Sequence, residues 1–152
     1  MENNYNLENE KARERLKKLL REITDEQLKL VIYKEGWTVA VILGHLAFWD
    51  ERRLALAKRW RNNQIEKSDI TGLDMDSVND ALATFFLAMP GRKLAGLAVK
   101  CAEAVDKEIA GLTAEQVARL AKAWDIKALD RSHHRKIHLD EIEKFLEGKR
   151  RG

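Results

Sequence analysis

The stretch SHHRKIHLDEIEKFL, residues 132–146, predicts a helix with an apolar stripe along one side. Ile142, Phe145 and Leu146 fall on one side, because an α-helix turns by about 100° per residue. His134 and His138 fall within the same apolar stripe, one turn apart. Side chains at this spacing are neighbours, so the two imidazoles can share one ligand.

His133 falls instead among the charged side chains of the same helix, so it is not expected to join the pair. A single inward histidine is usually held in a core by hydrogen bonds, and that alternative stays open for His134 and His138. Two neighbouring neutral imidazoles must both find partners, however, and one divalent metal ion satisfies both at once.

A metal centre needs a further ligand, and the one remaining histidine is His45, in GWTVAVILGHLAFWDERR, residues 36–53. It shares an apolar arc of its helix with Ile42 and Trp49. Three histidine nitrogens and an open position are typical of catalytic rather than structural zinc sites. Cys101 could add a fourth ligand, although a cysteine with apolar neighbours more often packs in a core. No Glu-x-x-His pair of the di-iron type occurs.

The chain around these histidines reads as helical throughout, which predicts an all-α four-helix bundle. The sequences TDEQ at 24–27 and TAEQ at 113–116 have capping-box spacing, and a polar connection with Gly72 spans 62–76. We expect one domain over residues 1–152, with its core at about 5–147. The long helical segments are predicted at Leu7–Leu20, at Trp37 to about Trp60, from an N-cap at Asp76 or Ser77 to about Ile109 with an interruption at Pro90-Gly91, and from about Asp130 to Leu146, closed by Gly148.

Composition indicates which kinds of partner and which cellular compartment to expect. The 152 residues include 28 basic and 25 acidic ones, for a net charge of +3, and the charges alternate in sign along the chain. No continuous basic face indicates nucleic-acid binding. A single cysteine and the absence of long apolar runs predict a cytoplasmic protein without a membrane span.

Several other side chains could serve the centre. Arg52 and Arg59 lie on the His45 side of their helix and could receive an anionic substrate or thiol cofactor, or could pair with surface carboxylates. Asp130 and Glu141 could orient an imidazole or accept a proton, or could lie at a solvated edge. The aromatic residues are expected to form core or pocket wall: Trp37, Phe48, Trp49, Trp60 and Phe145.

Two of these stretches together resemble a known family. GWTVAVILGHLAFWDERR resembles the second-helix motif of the DinB-like four-helix-bundle superfamily, and HHRKIHLDEI resembles its C-terminal His-x3-His motif. The resemblance implies an up-down-down-up bundle and one divalent metal ion, zinc or nickel, on His45, His134 and His138. Pro90-Gly91 departs from the smooth third helix of the family.

The resemblance also implies two classes of function. The first is a metal-dependent enzyme acting on a small molecule: a transferase or isomerase that uses a low-molecular-weight thiol, or a hydrolase. The second is a non-catalytic stress-response or interaction bundle with a vestigial or structural metal site. The same analogy allows a homodimer.

Overall fold

The computed structural model describes residues 4–65 and 74–152. The described part is helical and contains no strand, only an isolated bridge between Val31 and Thr38. The predicted connection at 62–76 falls largely on residues 66–73, Gly72 among them, which lie outside the described residues. The helices are α1 Tyr5–Glu22, α2 Asp25–Leu28, α3 Val39–Arg61, α4 Met75–Leu87, α5 Gly91–Ala110, α6 Ala114–Ala123 and α7 Ser132–Arg151, with a 3-10 turn at Ile126–Leu129.

The first and last long helices, α1 and α7, run parallel. Near the start of both, Lys136 pairs with Glu8 at 2.8 Å. Further along both, Arg15 pairs with Glu143 at 2.6 Å. Since the second pair lies later in each helix, α1 and α7 point the same way.

The two middle helices, α3 and α5, run opposite to them. His45 lies beside His138, whereas Asp50, later in α3, binds Arg131, earlier in the chain. The order of contacts is therefore reversed between α3 and α7. Gly44 packs against Leu94 and Arg61 pairs with Glu108, so α5 runs parallel to α3. The four long helices form the all-α, up-down-down-up bundle that the resemblance implies.

Local sequence explains where most of these helices begin. Thr24 and Thr113 both form the predicted capping boxes, each accepting a bond from the backbone of the third helical residue. At Pro90 the third helical region divides into two helices, because proline lacks a backbone N–H and disfavours a helical residue before it. Among the described residues, no helix is both long enough and apolar enough to cross a membrane.

Two predicted helix ends are wrong. The cap of α4 is Asp74 rather than Asp76 or Ser77, and its carboxylate accepts bonds from the backbone N–H groups of both those residues. The last helix does not close at Gly148 but continues to Arg151. A glycine does not by itself end a helix, and the basic side chains in the final turn of α7 interact favourably with the helix dipole.

The core consists of two apolar clusters at different levels of the bundle. The first packs side chains from the first half of α3 and α5 and the second half of α7, such as Leu43, Ala98 and Ile142. The second lies around Trp60, which is fully buried and contacts Trp124 edge to face, with ring centroids 5.3 Å apart. The histidine-bearing turns lie beside the first cluster.

Candidate metal centre

The three histidines meet between α3 and α7. The ring centroids of His45, His134 and His138 lie 4.9–5.0 Å from one another, and the planes are steeply inclined. The Nε2 atoms of His45 and His134 are 3.0 Å apart. One ligand nitrogen from each histidine lies within 4.8 Å of the others, so this cluster could hold a metal ion.

The donor set fits a small divalent cation. Two imidazole nitrogens on one tetrahedral zinc ion lie about 3.3 Å apart, because each Zn–N bond is about 2.0–2.1 Å long. The His45–His134 separation is close to that value, so small side-chain movements suffice. Among the residues that the structure describes, the cluster contains three ligands and no cysteine or carboxylate. Cys101 is buried in the first apolar cluster and is not among these ligands.

Burial keeps two of the imidazoles neutral. It lowers the pKa of His45 to about 4, with a further contribution from the neighbouring His138. It also lowers the pKa of His134 to about 2, aided by both other histidines and by Arg131 and Arg135. A neutral imidazole offers a nitrogen lone pair, which is the form that binds metal.

A tyrosine and a carboxylate orient His138. Its Nδ1 lies 2.9 Å from a carboxylate oxygen of Glu141 and 3.3 Å from the hydroxyl of Tyr33. The Tyr33 hydroxyl also donates to Glu141, and burial together with that carboxylate raises the pKa of the phenol. His138 therefore donates through Nδ1 and keeps the Nε2 lone pair free, the usual arrangement behind a metal-binding histidine.

The second candidate carboxylate, Asp130, binds the first residue of α7 rather than a histidine. Asp130 accepts bonds from the backbone N–H and the hydroxyl of Ser132, at 2.8 and 2.6 Å. Of the two predicted acidic partners, the structure thus brings Glu141 to an imidazole and uses Asp130 in the turn before the helix.

Aromatic side chains and one amide form the wall around His45. The rings of Trp37 and Trp49 lie 5.5 and 6.3 Å from its ring, centroid to centroid. Trp49 donates to the side-chain oxygen of Asn79 at 3.1 Å. The Asn79 amide also raises the pKa of His45 slightly, against the larger effect of burial. Gly44 lets α4 approach this closely, since a Cβ there would lie 2.9 Å from the ring of Phe86.

The two candidate arginines, Arg52 and Arg59, lie in different surroundings. The guanidinium of Arg52 lies 6.0 Å from the ring centroid of Trp49 and is half-buried. Arg59 is exposed, further along α3. Arg52 is therefore the arginine that lies against the aromatic wall of the centre.

Sequence reasoning missed two residues of the centre, Tyr33 and Asn79. Tyr33 lies in the irregular segment between α2 and α3, where no helical period predicts its direction. Asn79 lies on the half-buried side of α4, but its packing against α3 depends on the crossover between those helices. The pattern of apolar and polar residues therefore does not indicate that either side chain lies at the centre.

Fold and site together define a class: helical bundles with an inward three-histidine centre on two of the four long helices. The chain belongs to the DinB superfamily, whose family model matches residues 8–136. The matched range includes His45 and His134 and ends two residues before His138. No curated protein and no solved structure matches the chain.

Proposed function

We propose that the protein is a metal-dependent enzyme that acts on a small molecule, with one zinc or nickel ion on His45, His134 and His138. The observation that carries the proposal is the convergence of three ligand nitrogens without a fourth protein ligand in the described cluster. A structural zinc site closes all four positions with protein ligands, whereas a catalytic site leaves one for water or substrate.

The residues have separable tasks in this proposal. The three histidines hold the ion, and Glu141 with Tyr33 keeps the His138 ring turned so that Nε2 faces it. A divalent ion there would lower the pKa of a bound water or thiol and so supply a nucleophile at neutral pH. Trp37 and Trp49 shield the centre and would contact the apolar part of a substrate.

We further propose that the substrate includes a low-molecular-weight thiol or another anion-bearing small molecule. Arg52 supports this, because it follows Trp49 by about one turn of α3 and its half-buried guanidinium lies 6.0 Å from the centroid of the Trp49 ring. The reaction types consistent with the site are thiol transfer, isomerisation and hydrolysis. A homodimer is proposed as well, supported by Phe85 and Leu87 of α4, which are 70% and 57% exposed.

The test is a titration of the cobalt-substituted protein with cysteine as a small thiol. Direct binding of the sulfur to the metal adds a thiolate-to-cobalt charge-transfer band that is absent without thiol. Arg52→Gln should weaken that binding several-fold, whereas Arg59→Gln, the matched change at an exposed site of the same helix, should not. A cobalt spectrum that neither thiols nor small carboxylates change would count against an open, substrate-binding position.

A further inference from the structure

A layer of buried charge crosses the bundle between the two apolar clusters. Arg135 has no exposed surface, and Asp50 and Asp106 are 1% and 5% exposed. Arg131 and Asn9 are buried beside them. Charged side chains are rarely buried this fully, so the layer calls for an explanation.

The charges in this layer are matched by direct hydrogen bonds. Arg135 donates through Nε to Asp50 at 3.0 Å and through both terminal nitrogens to Asp106 at 2.8 and 2.9 Å. Arg131 donates to the other oxygen of Asp50 at 2.8 Å, and Arg13 donates to Asp106 at 2.6 Å. The layer thus joins α1, α3, α5 and the first turns of α7.

The layer lies next to the histidines along both helices that carry them. Arg135 directly follows His134, and Arg131 precedes that histidine by almost one turn. Asp50 follows His45 on α3 by little more than one turn. A slide of α7 along α3 by one turn, about 5.4 Å, would break the Asp50 contacts and separate the imidazoles together.

Stability is a poor reason for such a layer. Apolar residues of similar volume often support a fold as well as a buried ion network does, because burying charges costs desolvation energy. A network of fixed hydrogen-bond geometry does, however, select one helix register over its neighbours, which uniform apolar packing does poorly.

We propose that Asp50, Arg135, Arg131 and Asp106 form a positioning network that fixes the register of α3 against α7, so that the three imidazoles reach one metal ion. This inference rests on the proposed metal function. The network acts through the histidines and contacts no substrate.

Two variants test it. In the first, Asp50→Leu, Asp106→Leu, Arg131→Met and Arg135→Met replace the four buried charges of the network together, which leaves the net charge unchanged. In the second, Asp50→Asn removes one charge and keeps the shape. Glu143→Gln is the matched control, since it breaks a partly exposed pair between α1 and α7 without touching α3.

The readouts are zinc affinity by chelator competition, the visible spectrum of bound cobalt, and thermal unfolding without metal. The four-residue variant should fold and melt near the wild type, yet bind zinc about tenfold or more weakly and give an altered cobalt spectrum. Asp50→Asn should weaken zinc binding similarly, and Glu143→Gln should change neither affinity nor spectrum.

The possible results separate the inference from the function beneath it. Wild-type affinity and an unchanged cobalt spectrum in both variants would overturn the positioning role while leaving the metal function intact. If the four-residue variant does not fold, Asp50→Asn decides the matter by the same two readouts. A wild type that binds neither zinc nor nickel would defeat the proposed function, and the positioning role with it.

Discussion

His133 and His134 are neighbours in the chain but lie in different surroundings. His133 is exposed, whereas His134 lies half-buried among the other two ligands. Helical phase alone predicts this separation, since adjacent residues point about 100° apart. The tyrosine beside His138 could not be predicted in this way, because Tyr33 precedes that histidine by 105 residues and lies in no regular element.

At the residue scale, we expect His138→Ala and His133→Ala to differ sharply. Loss of one of three ligands should weaken zinc binding by at least a hundredfold, whereas loss of the exposed His133 should leave it unchanged. Zinc affinities of both variants by chelator competition check this. Equal losses would mean that the ligand pair on α7 has been assigned one residue out of phase.

At the scale of elements, the start of α7 is held by a distant helix. The side-chain oxygen of Asn9 accepts bonds from the backbone N–H groups of Arg131 and Ser132, at 2.7 and 2.9 Å. Its amide nitrogen donates to the carbonyl of Leu129 at 2.9 Å. The caps at Thr24 and Thr113 are local and were predictable, whereas this one joins residues more than a hundred positions apart.

Asn9→Ala should therefore destabilise the protein, by about 1–3 kcal/mol, because the buried backbone N–H of Arg131 and the carbonyl of Leu129 lose their side-chain partner. Urea unfolding of the metal-free protein measures this free energy. Asn6→Ala, at an exposed position on the same helix, is the control and should change it by less than about 0.5 kcal/mol. A result for Asn9→Ala no larger than for Asn6→Ala would show that water replaces these bonds at no cost.

At the scale of the whole molecule, the bundle and its histidine trio follow from sequence because both depend on helical period. The cap of α4 at Asp74 and the end of α7 at Arg151 did not follow, since each depends on which nearby group completes the backbone bonds. The buried charges of Asp50 and Arg135 did not follow either. Charged residues predict a solvated face unless the partners from other helices are known.

When no metal is bound, the inward-facing imidazoles lower the stability of the fold at low pH. An unfolded histidine titrates near pH 6.5, whereas the folded pKa is about 4 for His45 and about 2 for His134. Below about pH 6.5 the unfolded chain therefore binds protons that the folded chain does not. The free energy of unfolding consequently decreases as the pH is lowered. Above that pH the two histidines have no such effect.

We predict that the metal-free protein loses on the order of 3 kcal/mol of stability between about pH 6.5 and 5 from this source. The variant with His45, His134 and His138 all changed to Leu should fold, melt no lower than the metal-free wild type at neutral pH, and lose less over that range. Thermal unfolding across the range checks both statements. Equal pH dependence in the two proteins would show that the imidazoles are not buried in the neutral form.

The most direct test of the three-histidine metal centre is a calorimetric titration of the metal-free wild type with zinc, beside His134→Ala. We predict one ion per wild-type chain with submicromolar affinity, and a large loss of that affinity in the variant. We also expect a folded protein before the first injection, with a melting temperature that rises on binding. Wild-type protein that binds no zinc or nickel, or a variant that binds as tightly as the wild type, would contradict the three-histidine metal centre.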